Sequence, residues 1–180
     1  MTVDIETRWM SDYNRKEART AFSQPGIRHS QAESLIKSLM QEDKFRDLSL
    51  VERKRVTDRI LAEIKGRMME DIVLLETKLS KKNCEVFRLQ FAIGEFDMVV
   101  FDPEEETCEI YEIKHNDKIV LQQCRHLLDK QKREDTAFRY GTIIGKYVIY
   151  RGATTSLVQA GVNTQEDVAY LNVEEYLKKL

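Results

Sequence analysis

The spacing of apolar residues changes along this chain, from the helical period of about 3.6 to the strand period of about 2, and the change falls near residue 80. Upstream, Val56, Ile60, Ile64, Met68, Ile72, Leu75 and Leu79 recur at helical spacing behind a capping box at Ser49 and Glu52. That predicts one long helix running to about Leu79. Downstream, Glu85–Phe91, Glu95–Phe101, Cys108–Lys114 and Ile143–Tyr150 read as strands, with a helical stretch over Val120–Phe138 between the third and the fourth. Val168–Asn172 and Val173–Leu180 read as a closing strand and helix. Ahead of the long helix, residues 1–11 are expected to be poorly ordered, and Asp12–Phe22 tolerates a helix that Gln24-Pro25-Gly26 stops. Ser30 and Glu33 then form a capping box for a short helix carrying Leu35, Ile36, Leu39 and Met40. The order is helices, then αβββαβ, then a small tail, which is an α/β plan for a chain of 180 residues.

Composition narrows the function classes. At 42% apolar and 33% charged, with two prolines and seven glycines, the chain can bury a core and is neither collagen-like nor a linker. Its apolar runs are too short for a membrane helix, so no membrane partner is expected. The opening MTVDIETRWM lacks the basic start and apolar middle of a secretion signal. Cys84, Cys108 and Cys124 are odd in number and widely spaced, without a CxxC motif, so free buried thiols in a cytoplasmic protein are expected. Gly141-Thr-Ile-Ile-Gly145-Lys146-Tyr147 imitates a phosphate-binding loop. It is one residue short, has Tyr147 in place of the magnesium-holding hydroxyl, and leads into a strand, so ATP hydrolysis by this chain alone is not expected.

Net charge is −2, which does not advertise bulk nucleic-acid binding, but the charge is unevenly placed. Between Glu95 and Glu112 there are eight acids (Glu95, Asp97, Asp102, Glu104, Glu105, Glu106, Glu109, Glu112) and no lysine or arginine. Such a cluster is either solvated or awaits cations. If the hairpin is symmetric about Asp102–Thr107, Phe101 faces Cys108, Val99 faces Ile110 and Asp97 faces Glu112, with Lys114 on the same side. One face then carries Asp97, Val99, Phe101, Cys108, Ile110, Glu112 and Lys114, and the other Phe96, Met98, Val100, Glu109, Tyr111 and Ile113. Both faces are largely apolar, which predicts a sheet covered on both sides. Two opposed carboxylates and an ammonium in a covered sheet need a partner, and a divalent cation such as magnesium suits them. The competing reading is a solvated edge hairpin; separately, a one-residue slip of register would undo the facing pair.

The order Gly66-x-x-x-Glu70, Gly94-Glu-Phe-Asp97 and Glu112-Ile-Lys114 resembles the PD-(D/E)XK nuclease superfamily over roughly residues 60–150. More closely, Gly66–Gly152 is similar to the nuclease-like C-terminal module of prokaryotic, archaeal-type AAA ATPases. Phe96 stands where the family's name would place proline. The resemblance implies a restriction-endonuclease-like αβββαβ core with a mixed central sheet flanked by helices, over residues 51–180, behind an N-terminal helical extension over 1–50.

It also implies chemistry: metal-dependent hydrolysis of phosphodiesters in nucleic acid, with DNA as the expected substrate of an endonuclease. Asp97, Glu112 and the main-chain oxygen of Ile113 would hold magnesium or manganese, with Glu70 completing the site directly or through water. Lys114 would orient or help deprotonate the attacking water, once desolvation lowers its pKa, and would stabilise charge on the phosphoryl oxygens. Gln122, Gln123 and Arg125 would track the substrate backbone, against the alternative of a solvated amphipathic helix. His115 and His126 read as surface or structural histidines, and nothing in the sequence decides whether Arg139 and Tyr140 touch substrate. Two other readings stay open: a catalytically silent nuclease-fold module with a binding or regulatory role, and a fragment or stand-alone relative of a larger ATPase. In the latter, residues 1–65 would bridge to an ATPase domain or to a second copy of the chain.

Overall fold

A computed structural model describes residues 25–161 and 167–180, in two compact units that divide between Asp71 and Ile72. The expectations for residues 1–11 and 12–22 lie outside the described residues.

The first unit is helical. Helix α1 spans Pro25–Gln41, α2 spans Asp43–Arg46, and the long α3 (Leu50–Ser80) begins here and ends in the second unit. Helix α1 starts five residues before the expected cap at Ser30, with Pro25 opening it, because a first-turn position needs no N–H. The capping box at the head of α3 is present. Ser49 N–H and Oγ–H donate to Glu52 Oε2 at 2.9 and 2.7 Å, and Glu52 N–H returns a bond to Ser49 Oγ at 3.3 Å. Those bonds from Ser49 hold the Glu52 carboxyl below its usual range.

The second unit is an α/β fold around a six-stranded mixed sheet. Its strands are β1 (Glu85–Gln90), β2 (Glu95–Asp102), β3 (Thr107–Lys114), β4 (Thr142–Tyr150), β5 (Thr155–Ser156) and β6 (Ala169–Asn172), in the spatial order β1-β2-β3-β4-β6-β5. The β1-β2-β3 meander is antiparallel, β4 and β6 join it in parallel, and β5 returns antiparallel on the edge. The parallel step from β3 to β4 needs a crossover. The expected single helix over 120–138 comes instead in three pieces: a 3-10 turn (Leu121–Cys124), α4 (Arg125–Leu128) and α5 (Lys130–Tyr140). Asp129 makes the last break, with ψ of 116° and a side chain that accepts the Lys132 N–H, so a local cap outcompetes helix continuation. The segment that imitates a phosphate-binding loop is the start of β4. Helix α6 (Val173–Lys179) closes the chain, capped by Asn172 through Glu174 N–H and Glu175 N–H.

Both faces of the sheet are covered. On one, Val99, Cys108, Ile110, Val148, Tyr150 and Tyr170 form a core with Cys124 and Leu127 from the crossover. On the other, Tyr111 stacks on Tyr147 at 4.9 Å and meets Tyr176 of α6 edge-on at 6.0 Å, while Tyr176 OH pairs with Thr77 Oγ1 of α3 at 2.9 Å. Val73 and Thr77, one turn apart, are fully buried here, whereas Leu79 of the expected stripe is 60% exposed. Cys108 and Cys124 are buried free thiols, and Cys84 is only half-buried. Among the described residues no helix is long and apolar enough to cross a membrane.

Candidate functional site

The β2–β3 hairpin has the register expected from its symmetry. Val99 pairs with Ile110, Phe101 with Cys108, and Met98 with Tyr111. Asp102 Oδ1 ties the loop by accepting Glu104 N–H and Glu105 N–H at 3.0 and 3.2 Å. Counting one residue further along the ladder sets Asp97 beside Glu112.

At that point β2 carries a bulge. Phe87 of β1 pairs with Val99 and Leu89 with Phe96, so two steps on β1 match three on β2, and the extra residue falls at Asp97–Met98. A bulge bends the strand and re-aims its side chains. One consequence corrects an expectation: Phe96 lies in the core cluster with Val99, not on the opposite face, and meets Phe91 edge-on at 5.0 Å. The other is that the Asp97 carboxylate leans across to β3. Its Oδ2 accepts the Ile113 N–H at 2.7 Å and Lys114 Nζ at 2.8 Å. A strand residue points its N–H and C=O to the same lateral side, so the Ile113 carbonyl also faces β2.

Lys114 Nζ also contacts Glu112 Oε2 at 2.6 Å. Asp97 and Glu112 are buried, at 5% and 1% exposure, while the Lys114 side chain is one-third open at 33%. The eight-acid cluster therefore divides. Glu104–Glu106 are exposed at the hairpin tip, Glu109 pairs with Lys81 at 3.1 Å, and Asp97 and Glu112 share Lys114.

Two carboxylates and one ammonium leave one negative charge unbalanced in a buried corner, so a proton is favoured there. Burial, reinforced by Asp97 and only partly opposed by Lys114, pushes Glu112 up to about 8. Burial alone would lower the Lys114 ammonium, but Asp97 and then Glu112 outweigh it and hold the amine above the usual lysine range. This reverses the expectation that desolvation lowers Lys114; the amine is held charged, as a positioning cation.

Glu112 Oε1 is buried and has no hydrogen-bond partner among the described residues. An orphaned carboxylate oxygen in such a place calls for a proton or a cation. Among the described residues no three His, Cys, Asp or Glu side chains gather into a group that could hold a metal. Two carboxylates with a carbonyl beside them still fit a magnesium-type ion, which commonly takes one or two carboxylates and keeps its own waters.

Of the remaining candidates, Glu70 is half-buried on α3 in the first unit, and its neighbour Asp71, which carries no motif in the sequence, is 1% exposed. Beyond its own helix backbone, a Cβ at Gly66 would meet nothing within 4 Å among the described residues. Gln122 and Arg125 are exposed at the start of the crossover. Gln123 turns inward on its own loop, with Oε1 accepting Val120 N–H at 3.2 Å. Tyr140 packs between Phe87 and Phe101, with ring centroids at 4.9 and 5.5 Å.

Two residues given no functional weight in the sequence stand close to this corner. His126 Nδ1 lies 2.7 Å from Lys132 Nζ, and Lys132 is 8% exposed. The signal was a lysine at the i+4 position between Leu128 and Thr136, on the inward face of α5. Compared with known proteins, the chain matches no family, no curated protein and no solved structure.

Proposed function

We propose that the second unit is a metal-dependent phosphodiesterase on the restriction-endonuclease-like PD-(D/E)XK plan, acting on nucleic acid, with DNA as the substrate. The observation that carries this reading is the buried Asp97–Glu112 pair, bridged by Lys114, with one orphaned carboxylate oxygen. Asp97, Glu112 and the Ile113 carbonyl would hold magnesium or manganese. When bound, such an ion supplies a Lewis acid and a water of lowered pKa. Ile113 N–H fixes Asp97, so that carboxylate is oriented before any substrate arrives. Lys114, one-third open to solvent and charged, can turn from the carboxylates toward a phosphoryl oxygen and offset its developing charge. For Glu70 the proposal rests on the sequence pattern alone, and for Gln122 and Arg125 on their exposure beside the crossover.

The test is cleavage of single-stranded, duplex and branched DNA with magnesium or manganese. Activity should vanish in Asp97→Asn, Glu112→Gln and Lys114→Met, with the fold kept. A folded wild-type chain that binds neither ion and cuts none of these forms rules the proposal out.

One observation favours a second reading. Lys114 already sits on both carboxylates, and a proton on Glu112 would complete the corner with no metal, as in a silent binding module attached to an ATPase or to another copy of the chain. DNA binding that is indifferent to EDTA, without cleavage, would select it.

A further inference from the structure

Lys132 is a buried cation without an acid among the described residues. Its ammonium touches His126 Nδ1 at 2.7 Å and lies 5.1 Å from the centre of the Phe91 ring. No carboxylate forms an ion pair with it among the described residues. Removing an ammonium from water costs several kcal/mol by the usual estimates, and a ring face repays only part of that. A chain that keeps such a charge has an anion for it.

The pair's geometry says where the anion sits. A charged amine can only donate, so His126 Nδ1 accepts and the ring carries its proton on Nε2. Burial, and then the charges of Lys132, Arg125 and Lys114, hold the ring below the usual histidine range, which keeps it neutral. The half-exposed imidazole thus presents one N–H, polarised from behind by a buried cation. Both groups close over the turn before β2. A Cβ on Gly94, whose φ is +77°, would lie 2.7 Å from His126 Cε1, 3.1 Å from Nε2 and 3.0 Å from Lys132 Nζ. Only glycine lets the pair approach this turn, which Phe91 N–H closes by donating to the Gly94 carbonyl at 3.0 Å. Gly94 precedes Asp97 by three residues, and Arg125 stands exposed next to His126.

We infer that His126 and Lys132, set against Gly94, form a second phosphate subsite, which takes the phosphate next to the one held at Asp97, Glu112 and Lys114. The inference rests on the phosphodiesterase reading for its substrate, but not for its anion. The imidazole N–H meets a phosphoryl oxygen, Lys132 balances its charge through the ring, and Arg125 meets the same backbone from outside. These contacts position a strand and read no bases.

The test uses the full chain. Inorganic phosphate is titrated into metal-free protein while the ring resonances of His126, one of three histidines, are followed by NMR. A short DNA strand is then titrated over a range of salt, in wild type, Lys132→Met and His126→Phe. Phosphate should shift the His126 signals in wild type and leave them unmoved in Lys132→Met. That variant should bind DNA about tenfold more weakly, with a log–log salt slope shallower by about one. Without phosphate, Lys132→Met should melt no lower than wild type, since it no longer buries a charge, and manganese binding at Asp97 and Glu112 should be unchanged, which separates a lost subsite from a lost fold. A His126 that ignores phosphate, or a Lys132→Met chain that binds DNA as wild type does, overturns the inference. A phosphate response with no metal-dependent cleavage would uphold the anion subsite and reject the phosphodiesterase reading instead.

Discussion

Lys114 Nζ lies 2.6 Å from Glu112 Oε2, inside a strand pair where Glu112 is 1% exposed. The same amine reaches Asp97 at 2.8 Å, so one positive charge serves two carboxylates. The leftover negative charge gives the corner a dependence on pH and on cations that can be measured without knowing any substrate.

Glu112 is raised from 4.5 to about 8, first by burial and then by Asp97. Between those two values the folded chain holds a proton that the unfolded chain has released. Metal-free stability should therefore be fullest below about pH 4.5, as far as this group is concerned, and should decline as pH rises toward about 8. The slope is at most about 1.4 kcal/mol per pH unit, and less where Lys114 screens the charge. Glu112→Gln keeps the shape and cannot ionise, so its urea stability should lack this decline. Parallel pH curves for the two proteins would show that Glu112 is ionised at neutral pH.

A cation at the same corner would compete with that proton. Manganese binding should release up to one proton near pH 7 and tighten as pH rises. Calorimetry in buffers of different ionisation enthalpy reads the proton count directly. In Glu112→Gln both the release and most of the affinity should disappear.

Removing the amine deepens the same imbalance. Lys114→Met leaves two buried carboxylates facing each other and should cost about 2–4 kcal/mol in EDTA, toward the low side of a broken buried pair because the lysine is partly open to water. Manganese should restore more stability to this variant than to wild type, since no ammonium competes for the oxygens. Equal thermal shifts in the two proteins would mean that the ion binds elsewhere.

How much of this was written in the sequence depends on the range of the interaction. The hairpin carrying Asp97, Glu112 and Lys114 was legible because its loop fixes its own register, and alternation then assigns faces to neighbours close in sequence. The bulge at Asp97–Met98 was not, because it depends on how β1 meets β2, and Val86, Leu89, Phe96 and Met98 are apolar enough for either register. The start of α1 at Pro25 is ambiguous in the sequence because proline stops a helix in its interior and starts one at its first turn. His126 and Lys132 look like ordinary surface residues in the sequence because only the tertiary fold buries the lysine, without an acid among the described residues.

Asp129 tests the local side of that argument. It breaks the crossover by accepting Lys132 N–H at 3.1 Å, and the break sets where Lys132 begins its turn on α5. Asp129→Ala should lose about 1 kcal/mol in urea unfolding, as for other lost N-caps. Asp129→Asn, which can still accept the bond, should lose much less. If the two variants are equally stable, the cap does not hold the break.

Two glycines that look alike in sequence should respond in opposite directions. Gly66 lies inside α3, where an added Cβ meets nothing within 4 Å. Alanine there removes the helix penalty of glycine, so Gly66→Ala should gain about 1 kcal/mol. Gly141 has φ of +75°, and its Cβ would fall 1.7 Å from the Glu106 carbonyl oxygen, which itself accepts Thr142 N–H at 2.9 Å to lead into β4. Neither the backbone nor that oxygen can yield without opening the joint between the hairpin loop and β4. Gly141→Ala should therefore lose well over 1 kcal/mol, the lower end of the roughly 1–3 kcal/mol that an incompatible φ alone costs. Denaturation midpoints of the two variants, measured side by side, check both signs at once. A destabilised Gly66→Ala would show that the added methyl does meet a neighbour there.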